Sequence, residues 1–235
     1  MDIKALTFDV FGTTVDWRSG VARQAQRLLA PKGYNLDWSA VADRWRAGYL
    51  PAMAPVREGK RPWVSFETLH REILDGMADE FGLEALPDSE RDELNLAAWR
   101  RLDPWPDTRA GMARLAKGAS LIALSNGSIA QMIAIARHGD LRWDAILGAQ
   151  FSGTYKPDPK LYKDAVRTLG LEPGQVMMVA AHVDDLNAAA ACGLRTAYVH
   201  RADEYGPGKG VRAPDPGTFD IQVDSFEDLA AALGG

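Results

Sequence analysis

Four polar stretches of this chain each end an apolar run or open a helix: Asp9, Ser125-Asn126, Lys156 and Asp184-Asp185. Asp9 stands within Ile3-Lys4-Ala5-Leu6-Thr7-Phe8-Asp9-Val10, which reads as a buried strand. A carboxylate there is costly unless something nearby needs its charge. Ligands of open α/β sheets bind outside the carboxyl ends of the strands. Asp9 is therefore a candidate nucleophile or metal ligand, with loop capping as the ordinary alternative. Gly12 allows a tight turn, and Thr13 brings a hydroxyl close by. Ser125-Asn126-Gly127-Ser128 opens a helix, where free N–H groups, hydroxyls and an amide suit a carboxylate or phosphate. An N-cap at Ser128 is compatible with that role.

Lys156 precedes Pro157, which holds its backbone away from the α region, and Asp158-Pro159 then starts a helix. A lysine beside Asp9 would keep that carboxylate ionised and nucleophilic; a solvated surface lysine is the other reading. Tyr162, one turn on, reaches either the same pocket or the core. Asp184 and Asp185 begin a helix, where its dipole favours acids, so capping competes with service to Lys156 or to a water. His182, just before them, is a candidate to orient water or donate a hydrogen bond. Arg46 falls within the apolar face formed by Ala42, Trp45, Tyr49, Leu50, Ala52 and Met53, whereas Asp43 and Arg44 lie outside it. A guanidinium so placed meets an anion or a carbonyl, or snorkels to solvent.

The elements that must position these residues follow from periodicity. From about Val15 to Leu102 the pattern is helical throughout. Its helices run to Pro31-Lys32-Gly33, from about Trp38 to Met53, from Trp63 to Phe81, and from Ser89 to Leu102. Asp103-Pro104-Trp105-Pro106-Asp107 ends the block. Beyond it, helices alternate with apolar runs at Leu121–Leu124, Ala145–Leu147, Val176–Ala180 and Thr196–Val199. Phe219–Val223 is a candidate edge strand, and Ser225 with Asp228 marks the start of a last helix. The expected fold is α/β: a parallel sheet covered on both faces, formed by residues 1-15 plus 103-235, with residues 16-102 as an inserted helical domain. In such a sheet the four polar stretches open on one edge, where together they make a site. The Gly- and Pro-rich loop from Asp203 to Gly217 is expected to be mobile.

Composition narrows the partners. The chain has 235 residues, 46% of them hydrophobic, enough for a large core. A net charge of -5 with no basic run argues against nucleic acid. Cys192 is the only cysteine, so no intrachain disulfide forms. No apolar run approaches the roughly 18 residues that span a bilayer. The expectation is a cytoplasmic protein with neither membrane nor nucleic-acid partners.

With these residues assembled, the chain resembles the haloacid dehalogenase (HAD) superfamily, and more closely its L-2-haloacid dehalogenase branch. The matching stretches are Asp9-Val10-Phe11-Gly12-Thr13, Leu124-Ser125-Asn126-Gly127, Lys156-Pro157-Asp158-Pro159 with Tyr162, Val179 to Asp185, and Trp45-Arg46 with Tyr49 and Met53 for the cap helix. The resemblance implies a Rossmann-like core with a helical cap, acting without a cofactor on a small halogenated carboxylic acid. It implies that Asp9 attacks C2 and forms an ester that water then hydrolyses, giving a 2-hydroxy acid. Arg46 and Asn126 would stabilise the halide, Ser125 would hold the substrate carboxylate, and Lys156 would pair with Asp9. Asp185 would orient or activate the water, with Thr13 and Tyr162 in support. Some relatives accept fluoroacetate, and homodimers are common among them, so a homodimer is expected by analogy. Superfamily phosphatases carry a second Asp where this chain has Phe11; without that general acid a phosphatase loses about 10²–10⁴-fold. The competing reading is a phosphatase using Mg²⁺ on Asp9 with Asp184 or Asp185. The chain departs from its relatives at Ala180-Ala181-His182, where they resemble Ser-Ser-Asn, so His182 is expected to hold the hydrolytic water differently.

Overall fold

The computed structural model describes residues 1–234. In chain order the elements are β1 (Ala5–Phe8), β2 (Val15–Asp16), α1 (Trp17–Leu29), α2 (Trp38–Ala47), α3 (Tyr49–Arg57), α4 (Phe66–Gly76), α5 (Asp88–Arg100), β3 (Asp103–Pro104) and α6 (Thr108–Leu115). There follow β4 (Ser120–Ser125), α7 (Ile129–Gly139), β5 (Ala145–Gly148), α8 (Ala149–Ser152), α9 (Pro159–Leu169), β6 (Val176–Ala180), α10 (Val183–Ala191), β7 (Arg195–Val199), β8 (Ile221–Val223) and α11 (Phe226–Ala232). Six strands form one parallel sheet in the order β5-β4-β1-β6-β7-β8. All four residues of β1 are buried, as are all five of β6. This is the apolar signature of strands covered on both faces. β1 lies between β4 and β6, so the loops after these three neighbours converge at one edge. The fold is the expected α/β one: a parallel-sheet core with an inserted helical bundle.

The inserted helices α1–α5 leave and rejoin the core through a two-residue antiparallel ladder, Val15 opposite Pro104 and Asp16 opposite Asp103. The sequence pattern, too short there for a strand, did not announce it. The predicted Trp38-to-Met53 helix is two helices. Gly48 separates α2 from α3, and it lets α4 close in: a Cβ on Gly48 would lie 2.5 Å from Ile73 Cγ2. Leu50, expected on the buried face, is exposed, because the break turns it outward while Tyr49 and Met53 stay buried. Likewise the Trp63-to-Phe81 segment is helical only over α4, with a separate 3₁₀ turn at Asp79–Phe81.

The bundle is fastened to the core by stacked rings. Phe11, on the loop after β1, stacks on Phe66 of α4 with centroids 5.0 Å apart. Phe66 stacks on His70 at 4.0 Å, and His70 meets Trp99 at 4.1 Å. Burial, together with the nearby charge of Arg46, keeps His70 well below its ordinary pKa, so the ring packs neutral. On the core side, Arg201 anchors the loop after β1. Its Nε donates to the Thr13 carbonyl at 2.9 Å, and both Nη atoms reach Asp107 at 2.7 and 3.0 Å. Asp107 also accepts from the Phe226 amide, which ties α11 to the same point.

Close approach of α6 to α11 depends on Gly111: a Cβ there would fall 2.3 Å from Phe226 Cβ and 2.6 Å from its carbonyl carbon. Gly111→Ala is expected to cost about 1–3 kcal/mol through overpacking, a fall of several degrees in Tm. Gly118→Ala, with nothing within 4 Å, serves as the control and should leave Tm unchanged. Thermal denaturation of both variants checks this.

Candidate active site

Asp9 emerges where the β1 ladder ends. Its N–H still donates to the Val179 carbonyl at 3.0 Å, and the chain then turns back on itself. The Thr14 hydroxyl caps the Asp9 carbonyl at 2.7 Å, and Gly12, at φ 89°, closes the turn with its N–H on the Val15 carbonyl at 2.9 Å. The side chain is thereby aimed past the sheet edge, into the floor of a cavity of about 930 Å³.

Each carboxylate oxygen of Asp9 has its own donors. Oδ1 lies 3.3 Å from Lys156 Nζ. Oδ2 accepts from the Thr13 hydroxyl at 2.7 Å and lies 3.1 Å from His182 Nδ1. Thr13 in turn accepts from the Ala181 amide at 2.9 Å, which links the first loop to the one after β6. Lys156 Nζ also donates to Asp185 Oδ2 at 2.7 Å, and the Tyr162 hydroxyl donates to Asp185 Oδ1 at 2.5 Å. Burial works to raise the Asp9 pKa. Lys156, His182 and Thr13 outweigh it and hold the carboxyl well below the usual carboxylate range. Burial pushes Asp185 up against the pull of Lys156, and the two carboxylates together raise Lys156.

The other predicted residues are distributed as follows. Asn126 Oδ1 accepts from the Lys156 amide at 2.7 Å, and its Nδ2 donates to the Tyr49 hydroxyl at 2.9 Å, so it joins the core loops to the bundle. Arg46 shares the cavity wall with Asp9, Phe11 and Asn126. Its guanidinium lies over the Tyr49 ring at 4.1 Å and the Trp17 ring at 5.3 Å, and its buried Nη1 has no partner among the described residues. It does not snorkel to solvent. Ser125 differs from expectation: it is fully buried, and its hydroxyl accepts from the Gly127 amide at 3.1 Å, bracing the turn below the cavity. Ser128 caps α7 through Gln131, as its type and position suggest. Asp184 and Asp185 both line the cavity.

Several site residues carry no motif signal. Glu204, Tyr205 and Lys209 come from the Gly- and Pro-rich segment expected to be mobile, yet all three line or buttress the cavity, and Glu204 is buried. Trp17 and Arg57 complete the wall; Arg57 Nη1 donates to the Lys156 carbonyl at 3.3 Å. Contacts between segments far apart in the chain place such residues, and periodicity does not report them. The Lys156 ammonium lies between Asp9 and Asp185, and Asp184 lines the same cavity. Among the described residues, no cluster of three or more His, Cys, Asp or Glu is arranged to hold a metal. No helix is long and apolar enough to cross a membrane.

A family model described as haloacid dehalogenase-like hydrolase matches residues 3–193. The (S)-2-haloacid dehalogenase 4A of Burkholderia cepacia is 28% identical over 202 residues, covering 85% of this chain and 84% of the relative. A crystal structure of an L-2-haloacid dehalogenase is 45% identical, superposes with a TM-score of 0.93 and covers 99% of both chains. The L-2-haloacid dehalogenase from Xanthobacter autotrophicus, solved with chloropropionic acid covalently bound, is 25% identical with a TM-score of 0.83 and 99% coverage of both.

His182 makes a pH signature. Burial opposes protonation, but Glu204 and Asp9 facing the ring raise its pKa from 6.5 to about 10. A folded value above the unfolded one stabilises fully below the unfolded pKa, and that stability is lost as pH climbs through the folded pKa. Wild type should therefore lose more stability between pH 6 and pH 10 than His182→Gln does. Urea midpoints at the two pH values measure it.

Proposed function

The chain belongs to the haloacid dehalogenase-like hydrolase family, and on that premise we propose that it hydrolyses small 2-haloalkanoic acids to 2-hydroxy acids through an ester on Asp9. The observation that carries the reading is the pairing of opposites across one cavity. A buried, ionised Asp9 lies on the floor, and a guanidinium with an unpartnered Nη1 stands in the wall. The carboxylate supplies the nucleophile, and Arg46 meets the anion that a displacement at carbon would expel.

The reaction follows in two steps. Asp9 Oδ1 attacks C2 from the side opposite the halogen, a C–O bond forms, and the carbon–halogen pair leaves as halide with inversion. Lys156 keeps the attacking carboxylate ionised and fixed, and Thr13 holds Oδ2 so that one oxygen faces the substrate. Arg46 stabilises charge as it develops on the halogen, in a cavity where rings replace water. Asn126 holds Tyr49 under Arg46 and so sets the height of that cation. Water then adds to Cγ of the ester, the charge collecting on Oδ2 beside the Thr13 hydroxyl, and the 2-hydroxy acid departs. Residues 16-102 act as the cap that brings Arg46 over the sheet edge, and Arg57 and Lys209 at the wall favour an anionic substrate.

Phe11 speaks against phosphate ester hydrolysis. It is buried and stacked on Phe66, so no acid stands there to protonate a leaving oxygen, whereas halide leaves without a proton. Halide release from chloro-, bromo- and fluoroacetate and from both 2-chloropropionate enantiomers, with and without chelator, tests the reading. Release that survives EDTA is expected, and Asp9→Asn should lower it by more than about 1,000-fold, the order seen when a nucleophile is removed. In ¹⁸O water under single-turnover conditions, label should enter Asp9 before the product. Label found first in the hydroxy acid would sink the ester.

A further inference from the structure

Glu204 lies beyond residues 3–193, the stretch matched by the family model, yet it is wired to the nucleophile. Its side chain is 4% exposed. It accepts from Trp17 Nε1 at 3.1 Å, and its two oxygens lie 2.9 and 3.1 Å from His182 Nε2. The other ring nitrogen, Nδ1, is the one 3.1 Å from Asp9 Oδ2. Gly12 makes the room: a Cβ there would stand 2.1 Å from Glu204 Oε1. One imidazole thus spans from the reacting carboxylate to a buried acid that does not line the cavity. Asp185 is placed differently, since Lys156 and Tyr162 occupy both its oxygens.

We propose, on the strength of the dehalogenase reading, that His182 positioned by Glu204 is the base for ester hydrolysis, and that formation of the ester itself switches this base on. While Asp9 is a carboxylate, His182 is an imidazolium held between two acids and takes no proton. Alkylation of Oδ1 makes Asp9 neutral, and one of the two charges holding that proton disappears. His182 then gives one proton to solvent from Nδ1 and keeps its Nε2–H on Glu204. Water adds to Cγ; its proton goes to Nδ1, and the C=O electron pair moves to Oδ2. Collapse breaks the Cγ–Oδ1 bond, and the new carboxylic proton passes to the leaving alkoxide. Asp9 is again a carboxylate, and His182 is again an imidazolium. One substrate and one water give one 2-hydroxy acid, one halide and one proton, and that proton leaves with the halide. The other charged or titratable groups facing this pair are Lys156 and Asp185 across Asp9, Asp184 on α10, and Arg46, Tyr205 and Lys209 on the cavity wall; Lys156 also loses the Asp9 charge when the ester forms, but it keeps its hydrogen bond to the ionised Asp185 at 2.7 Å, and Asp185 keeps Tyr162.

Rapid-quench and stopped-flow measurements with 2-chloropropionate separate the steps. In wild type, a pH-indicator dye should report proton release in phase with the first halide. Glu204→Gln should release its first equivalent of halide within about threefold of the wild-type rate, and then turn over about 100-fold more slowly. Its mass spectrum should show the lactyl ester accumulating on Asp9. Proton release in phase with lactate instead of halide would overturn the switch, and that measurement needs no variant. Glu204→Gln turning over like wild type, or slowed equally in both phases with no ester, would overturn the base while leaving the dehalogenase reading intact. Wild type releasing no halide from any acid in the panel would remove both.

Discussion

A carboxylate that must stay charged while nearly buried is the constraint to which the rest of this structure answers. Removing Asp9 from water costs several kcal/mol unless charge and hydrogen bonds replace the lost hydration. Lys156, His182 and Thr13 supply them, each from a different loop. Thr13 comes from Asp9's own loop, whereas Lys156 and His182 reach Asp9 only because β1 lies between β4 and β6 and the strands run the same way. The parallel sheet is thus the frame on which an otherwise costly charge becomes tolerable. Breaking one partnership would leave its partners uncompensated, which makes the cluster cooperative.

The cluster extends further than the nucleophile requires. Asp185 holds Lys156 from behind, and Tyr162 holds Asp185. Glu204 holds His182, and Trp17 holds Glu204. Lys156 and His182 therefore each lie between two acids, Asp9 on one side and Asp185 or Glu204 on the other. On the proposed reaction, the second acid remains to hold the cation when Asp9 loses its charge. Such geometry lets a site change charge without reorganising, which is the condition for electrostatic catalysis.

The bundle contributes the opposite sign. Arg46 is held by ring faces, over Tyr49 and near Trp17, which leave its charge less neutralised than a carboxylate partner would. Phe11 stacks on Phe66 across the junction, and His70 and Trp99 continue the ring cluster into the bundle, so Arg46 and Asp9 face one cavity across packed rings. The α2–α3 break at Gly48 decides where this cation stands, because it lets α4 approach and turns Leu50 away.

Local sequence alone determined the alternation of apolar runs and helices, the caps at Ser128, Asp158 and Ser225, and the polar residues at strand ends, because strand period, capping chemistry and buried polar cost all act within a few residues. It also determined that Phe11 brings no proton donor and that Arg46 interrupts an apolar face. Only tertiary structure decided that Ser125 braces a turn, that a two-residue ladder closes the insertion, and that Glu204, in a stretch that reads as loose loop, is buried against His182, 22 positions earlier in the chain. Those outcomes depend on contacts between residues far apart in the chain, where no spacing rule applies. A glutamate in a Gly- and Pro-rich segment reads as solvated until the fold shows what faces it.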